Sequence, residues 1–398
     1  MNKKVAYILD IFPTVSETFI INEIVTVEKL GLETVIFSRK KPAGEVPHEE
    51  ADRLARQTTY FPEPKSITFI QSCGDHLHLL RKAPSRYIKA LLFAFQNNKK
   101  GLLWFFKIAG SYALLVEKHK PDHIHAHFAS LAGEYAMLIA MLLDIPYTFT
   151  AHGWHDIFEY PPHDFHQRGI RAQRVITVSQ YNKDYMVQKF GIPEEKISVI
   201  HCGIRPQLFT TSGRTEGREL RILSIARLHP IKGVEYLVKA CKLLKEWDNR
   251  FSCHIIGDGE LREQITGLIQ KLGLEQEVIL EGAQPAGEVR RHLALADVYV
   301  NSSLCEGLAV SIMEAMAARL PVVATRVTGI AELIEDNVNG YLVEPKNETE
   351  LAAALQKMIL NPDRQKKMGE ISRKRIETDF TLEAEVKKLI LEWENGPA

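Results

Sequence analysis

A chain of 398 residues, 45% hydrophobic and 25% charged, is too long for one ordinary core and reads as two or three soluble domains. Its 50 basic and 50 acidic residues cancel, so net charge gives no pull toward nucleic acid. No run reaches the ~18 apolar residues of a membrane helix, because Lys107 interrupts the nearest candidate at 101–116.

The opening MNKKVAYILD lacks the apolar core and cleavage site of a signal peptide and enters a strand directly. Cys73, Cys202, Cys241, Cys253 and Cys305 form no CxxC pair and read as reduced thiols, so a cytoplasmic protein is expected. Val5–Asp10 reads as a buried strand. In the helix that follows, Thr14 and Glu17 have capping-box spacing. Phe19, Ile20, Ile24, Val27 and Leu30 recur at helical spacing before Gly31. Thr34–Ser38 is the second strand. The loop between lacks GxGxxG, which disfavours dinucleotide binding.

Residues 42–75 read as loop or short helix. Residues 81–120 carry nine Lys/Arg against one acid, Glu117, and fit two helices split near 97–101. They admit two readings: a core-facing pair with a solvated basic face, or a patch that rests on an anionic membrane surface. Strand and helix then alternate: strand 122–128, helix 130–142, strand 146–151, loop HGWHDIFEYPPHDF, strand 174–178, helix 179–190, strand 197–200. The Pro/Thr/Ser/Gly-rich 205–218 is the expected linker. The alternation restarts at strand 220–226 and ends in a helical tail, 348–393. The fold class is therefore α/β, with two Rossmann-like doubly wound parallel-sheet domains facing a cleft. Site loops lie beyond the carboxyl ends of the strands. The expected boundaries are 1–205, 206–380 and a terminal helix, 381–398.

Chemistry concentrates in the second half. Arg227 follows a strand and Lys232 precedes a helix; two cations and helix amides make an anion site. Glu306 and Glu314 stand on either side of seven residues. The pair can bracket a sugar nucleotide, with Gly307, Leu308 and Ala309 bringing amides close. Alternatively, Ser311 caps the helix and Glu314 only bonds back to it. His125 and His127 alternate on a strand and share a face, and Asp122–His127 contains no third ligand, so a metal site is disfavoured. His127 and His152 both sit at strand carboxyl ends. There is no DxD, GxxxxGKS/T or GxSxG motif. A diphosphate would be neutralised by Arg227, Lys232 and backbone amides, with no metal and no cofactor.

The pieces ARLHPIKG, IIGDGE, ADVYVNSS, EGLAVSIMEAMAARLPVVAT and TGIAELIEDNVNGYLVEP resemble the donor-binding half of the retaining glycosyltransferases of family four, which have the GT-B fold. FPTVSETFIINEI, IHAHFAS and TAHGWHDIF are similar to the subgroup that builds exopolysaccharide and capsule units, including colanic-acid-type enzymes. The resemblance implies that a sugar moves with retention from a nucleoside-diphosphate sugar to a glycan or lipid-linked acceptor. Arg227 and Lys232 would hold the diphosphate and Glu314 the ribose. Glu306, with Gly307–Ala309 beside it, would hold the sugar. Gly257 joins the donor site, and His127 stands near the reaction centre. Ser16, Thr18 and His152 lie on the acceptor side. Three positions depart from the family: Arg319 where Gly is frequent, Ala309 where Gly or Pro is frequent, and SETF in place of a glycine pair. The rival readings are an epimerase or hydrolase on the same fold and a non-catalytic sugar-nucleotide binder.

Overall fold

The structure, a computed structural model, describes residues 3–14, 17–42, 44, 50–98, 101–210 and 219–394. The chain divides into two units: residues up to His201 with those from Glu385 onward, and Cys202–Ala384. Most of the expected linker, 211–218, lies outside the described residues, as do Ser16, Lys99 and Lys100.

The first unit runs β1 (Lys4–Ile11), α1 (Thr18–Lys29), β2 (Glu33–Lys40), α2 (Ala51–Gln57), β3 (Thr59–Tyr60), α3 (Phe69–Lys82), α4 (Pro84–Gln96) and α5 (Leu102–Glu117). It continues with β4 (His123–His127), α6 (Leu131–Leu143), β5 (Tyr147–Ala151), α7 (Phe165–Arg171), β6 (Arg174–Thr177), α8 (Gln180–Phe190) and β7 (Ile197–Val199). Its strands pair in parallel in the order β3-β2-β1-β4-β5-β6-β7. Val5–Leu9 and all of β4 and β5 are buried, as continuous apolar runs in a sheet covered on both faces must be.

Two local readings are corrected. The Thr14–Glu17 capping box does not form: α1 starts at Thr18, and Glu17 at its N-cap makes no side-chain cap bond. The expected loop after β5 contains a π-helical turn, Trp154–Glu159, and then α7. Polar spacing hid both, because the buried Asp156 accepts hydrogen bonds from the amides of Ala129, His152 and Gly153 and organises that turn from inside. Residues 42–75 hold α2, β3 and the start of α3.

The second unit runs β8 (Leu220–Ile225), α9 (Val234–Glu246), β9 (Phe251–Ile256), α10 (Arg262–Leu272), β10 (Val278–Gly282), α11 (Ala286–Leu295) and β11 (Val298–Asn301). It continues with α12 (Val310–Ala317), β12 (Val322–Thr325), β13 (Gly340–Val343), α13 (Glu348–Leu360), α14 (Pro362–Asp379) and α15 (Leu382–Glu394). The parallel order is β10-β9-β8-β11-β12-β13. α15 starts in the second unit and ends in the first. There Trp393 is fully buried, edge-on to Tyr7 at 6.1 Å, and its indole N–H donates to Thr148 Oγ1 at 3.1 Å.

Arg319, between α12 and β12, has φ 58°, the left-handed region that costs an L side chain about 1–2 kcal/mol. Its exposed guanidinium meets Glu370 only at 3.6 Å, a contact of little worth. Arg319→Gly relieves the strain and loses part of the gain to the freer unfolded chain. A net stabilisation of about 0.5–1 kcal/mol is expected in urea denaturation. A destabilised variant would contradict it.

Candidate active site

In the second sheet the strand order reverses between β8 and β11, and the expected donor residues stand at the carboxyl ends on both sides of that point. Arg227 follows β8. Its side chain is exposed and has no ion-pair partner among the described residues. Lys232 ends a 3-10 turn, Pro230–Lys232, and Gly233 (φ 56°) then turns the chain into α9. A Cβ on Gly233 would lie 2.3 Å from the Ser302 carbonyl, so only glycine lets the loops after β8 and β11 touch. Ser302 Oγ donates to the Lys232 carbonyl at 3.0 Å, and the Leu304 amide donates to that of Ile231 at 2.7 Å. Gly257 (φ 136°) plays the same part after β9, its Cα facing the Ala226 carbonyl.

These contacts bring Lys232 Nζ to 2.5 Å from Glu306 Oε1, which also accepts from Ser303 Oγ at 2.7 Å. The Glu306 carboxylate is largely buried, and Thr328 clamps its backbone by accepting from the Glu306 amide at 2.9 Å and donating to the Glu306 carbonyl. The next three amides, of Gly307, Leu308 and Ala309, find no acceptor among the described residues and lead into α12. An ion pair beside a run of open amides at a helix start is an arrangement suited to phosphate and hydroxyl groups.

Glu314 is the fifth residue of α12. The helix is capped at Ala309 without a side-chain bond, so the Ser311–Glu314 capping box is absent. Burial pushes the Glu314 carboxyl up to about 7, against the opposing pull of Arg290.

In the first unit the order reverses between β1 and β4, and His127 ends β4 beside that point. His127 Nε2 lies 3.0 Å from Glu23 Oε1 and its Nδ1 lies 3.0 Å from His152 Nε2. Tyr7 donates to the same Glu23 oxygen at 3.0 Å. A carboxylate only accepts, so His127 Nε2 carries a proton directed at Glu23. Burial and the neighbouring His127 hold His152 well below the ordinary histidine range. Both nitrogens of the buried His127 are thus engaged, and the more exposed ring of the pair is His152, packed between Phe19 and Phe128. His125 is not part of this line. It bonds Thr148 and Thr150 and is held neutral by burial. Thr18 opens α1, half-buried.

Sequence reasoning missed Glu23, Asp156, Ser303 and Thr328. Glu23 hides on the helix whose apolar spacing drew attention, though it lies three residues past Ile20 and four before Val27, near the buried face. Ser303 and Thr328 stood inside motifs that had been singled out for other residues.

Residues 17–208 match the profile Glycosyltransferase Family 4, and residues 210–375 match Glycosyl transferases group 1. The chain belongs to the family-four glycosyltransferases. This glycosyltransferase is 39% identical over 197 residues to the amylovoran biosynthesis glycosyltransferase AmsK of Erwinia amylovora, an alignment that spans 48% of each chain. It is 28% identical over 397 residues to WcaL of Escherichia coli (strain K12), named for colanic acid biosynthesis, with 95% of this chain and 96% of that one aligned. A glycosyltransferase of Rickettsia africae ESF-5 superposes with a TM-score of 0.76 at 20% identity, covering 99% and 98% of the two chains. Anabaena Alr3699/HepE, solved with UDP and glucose, superposes with a TM-score of 0.75 at 19% identity, covering 99% and 100%. At such identities the likeness establishes the fold, which is GT-B.

The Glu314 carboxyl sets a pH test. Its folded value, about 7, exceeds the ordinary 4.5, so between these the folded state keeps a proton that the unfolded state has released. Stability from this group therefore falls as pH rises through that window. Glu314→Gln removes the effect. Its stability relative to wild type is expected to rise between about pH 5 and pH 8 in urea melts. A pH-independent difference would remove the assignment.

Proposed function

We propose that this glycosyltransferase moves a sugar, with retention of configuration, from a nucleoside-diphosphate sugar to a hydroxyl of a glycan or lipid-linked acceptor in exopolysaccharide or capsule synthesis. The observation that carries the donor reading is the Lys232–Glu306 pair beside the open amides of Gly307, Leu308 and Ala309. Arg227, exposed and unpaired among the described residues, and Lys232, shared with Glu306, offer their cations to the roughly two negative charges of a diphosphate. Glu306 takes the sugar hydroxyls and Glu314 the ribose. Gly257 holds the Arg227 loop in place. The names of AmsK and WcaL support the pathway class, and the UDP complex of Alr3699/HepE supports the donor class.

Acceptor binding falls to the first unit. Thr18 and His152 form its wall, Ser16 joins them in sequence, and His127, oriented by Glu23, holds His152. The proposed chemistry is a front-face displacement. The bond from the anomeric carbon to the diphosphate oxygen breaks, and the acceptor oxygen forms its bond on the same face. The departing oxygen takes the acceptor's proton. Arg227 and Lys232 stabilise the charge that develops there, which is the work a metal does elsewhere. Two side-chain groups have metal-ligand proximity, Glu23/His125/His127 and His254/Glu281/His292. In the second, Arg221 projects its own cation toward both imidazoles, at 3.4 Å and 3.2 Å.

We place the enzyme in the cytoplasm at the inner face of the membrane. No described helix is long and apolar enough to cross a bilayer. Helices α3 to α5 nonetheless expose Phe69, Ile70, Phe95 and Trp104, with Arg86 and Lys89 on α4. That mixture suits an interfacial contact with anionic lipid.

Glu306→Ala and Lys232→Ala are each expected to lower kcat/KM by on the order of 10²–10³-fold while circular dichroism stays native. EDTA is expected to leave transfer unchanged. Near-normal transfer by either variant sinks the site. Donor turnover that needs no acceptor would make the enzyme a hydrolase or epimerase.

A further inference from the structure

The first unit has a concavity at the opposite end of its sheet from His127 and His152. It is a groove of about 620 Å³ beside the amino ends of β5, β6 and β7, walled by Phe93, Met141, Ile145 and Pro146. Its polar rim carries Lys89 from α4, Arg171 from α7 and Lys196 just before β7. No carboxylate lines it. None of the three cations is in an ion pair among the described residues: Arg171 lies over the Phe93 ring at 4.1 Å, and Lys196 donates to the Ala172 carbonyl at 3.0 Å. Three unneutralised cations at the mouth of an apolar groove are complementary to an anionic amphiphile.

α4 extends the same surface. Its buried face is Ala90, Phe93 and Ala94. A second apolar stripe, Ile88, Leu91, Leu92 and Phe95, repeats at helical spacing and is exposed, Phe95 by 69%. A helix that is apolar on two faces has a second apolar medium to meet. Leu92 belongs both to the stripe and to the groove, so the two are continuous.

We propose that this groove seats one anionic phospholipid of the membrane. Its acyl chain lies against Phe93, Met141 and Ile145, and its phosphate is held by Lys89, Arg171 and Lys196. The site builds on the membrane contact proposed above and localises it to α4, α7 and the loop before β7. It is separate from acceptor binding, which belongs to the carboxyl ends of the strands. Anchoring at the amino ends leaves those carboxyl ends free for substrate.

The test uses flotation of the full chain with vesicles of phosphatidylcholine alone or with about one-third phosphatidylglycerol, a composition that supplies the anionic surface. Wild type is expected to float with the anionic vesicles, and 10 mM inorganic phosphate, roughly a free-headgroup control, is expected not to displace it. Lys89→Glu/Arg171→Glu is expected to weaken flotation roughly tenfold or more. Met141→Trp, which fills the groove, is expected to remove the single phosphatidylglycerol that native mass spectrometry finds on wild type. Thermal shifts with UDP-sugars should stay at wild-type values in both variants. If Leu92→Ser/Phe95→Ser stops flotation while both groove variants float normally, the membrane contact stands and the groove is overturned. Equal flotation with neutral vesicles, displacement by free phosphate, or self-association in place of vesicle binding overturns the proposal as well.

Discussion

The donor-side loops of the second unit are organised around one ion pair. Lys232 and Glu306 are 74 residues apart in sequence and 2.5 Å apart in space, in a largely buried setting. Taking two charges from water is unfavourable unless their remaining bonds are met. Ser303 meets one on Glu306, and Thr328 fixes the backbone of that residue from both sides. Gly233 makes the approach sterically feasible, because any Cβ there would strike the Ser302 carbonyl. A site preassembled in this way leaves Arg227 and three amides without partners among the described residues, and these are the groups offered to an incoming anion.

The two units solve the same problem. Each sheet reverses its strand order once, and at that reversal two loops diverge to opposite faces and leave an opening. In the second unit the opening holds cations, a carboxylate and amides. In the first it holds a buried line of Tyr7, Glu23, His127 and His152, in which each member orients the next. The chemical contrast suits the proposed division between a charged diphosphate donor and an uncharged hydroxyl acceptor.

Much of this was legible in the chain. Buried parallel strands are continuous apolar runs, and Val5–Asp10, Phe251–Ile256 and Asp297–Val300 announced themselves as such. The EX7E spacing and the Arg–Lys pair stood out because unusual polar residues flanked those runs. Asp156 and Glu23 did not stand out. A lone acid on a helix or in a polar loop looks solvated until the fold shows that its partners are amides and imidazoles from distant segments. The Ser311–Glu314 spacing misled for the opposite reason. Capping boxes need the right backbone start, and α12 begins two residues earlier than a Ser311 cap requires.

The sequence by itself determined the class, the two-fold repetition of alternating elements, and which residue types gather near the strand ends, since apolar periodicity and local punctuation are properties of neighbours along the chain. It also raised the question at Arg319, whose left-handed backbone the structure then displayed. Only the tertiary structure decided that Lys232 pairs with Glu306, that His127 is engaged at both nitrogens while His152 is the more exposed ring, and that Glu314 is a half-buried acid instead of a cap. Those are outcomes of burial and of contacts between residues tens to a hundred positions apart, which no local pattern encodes.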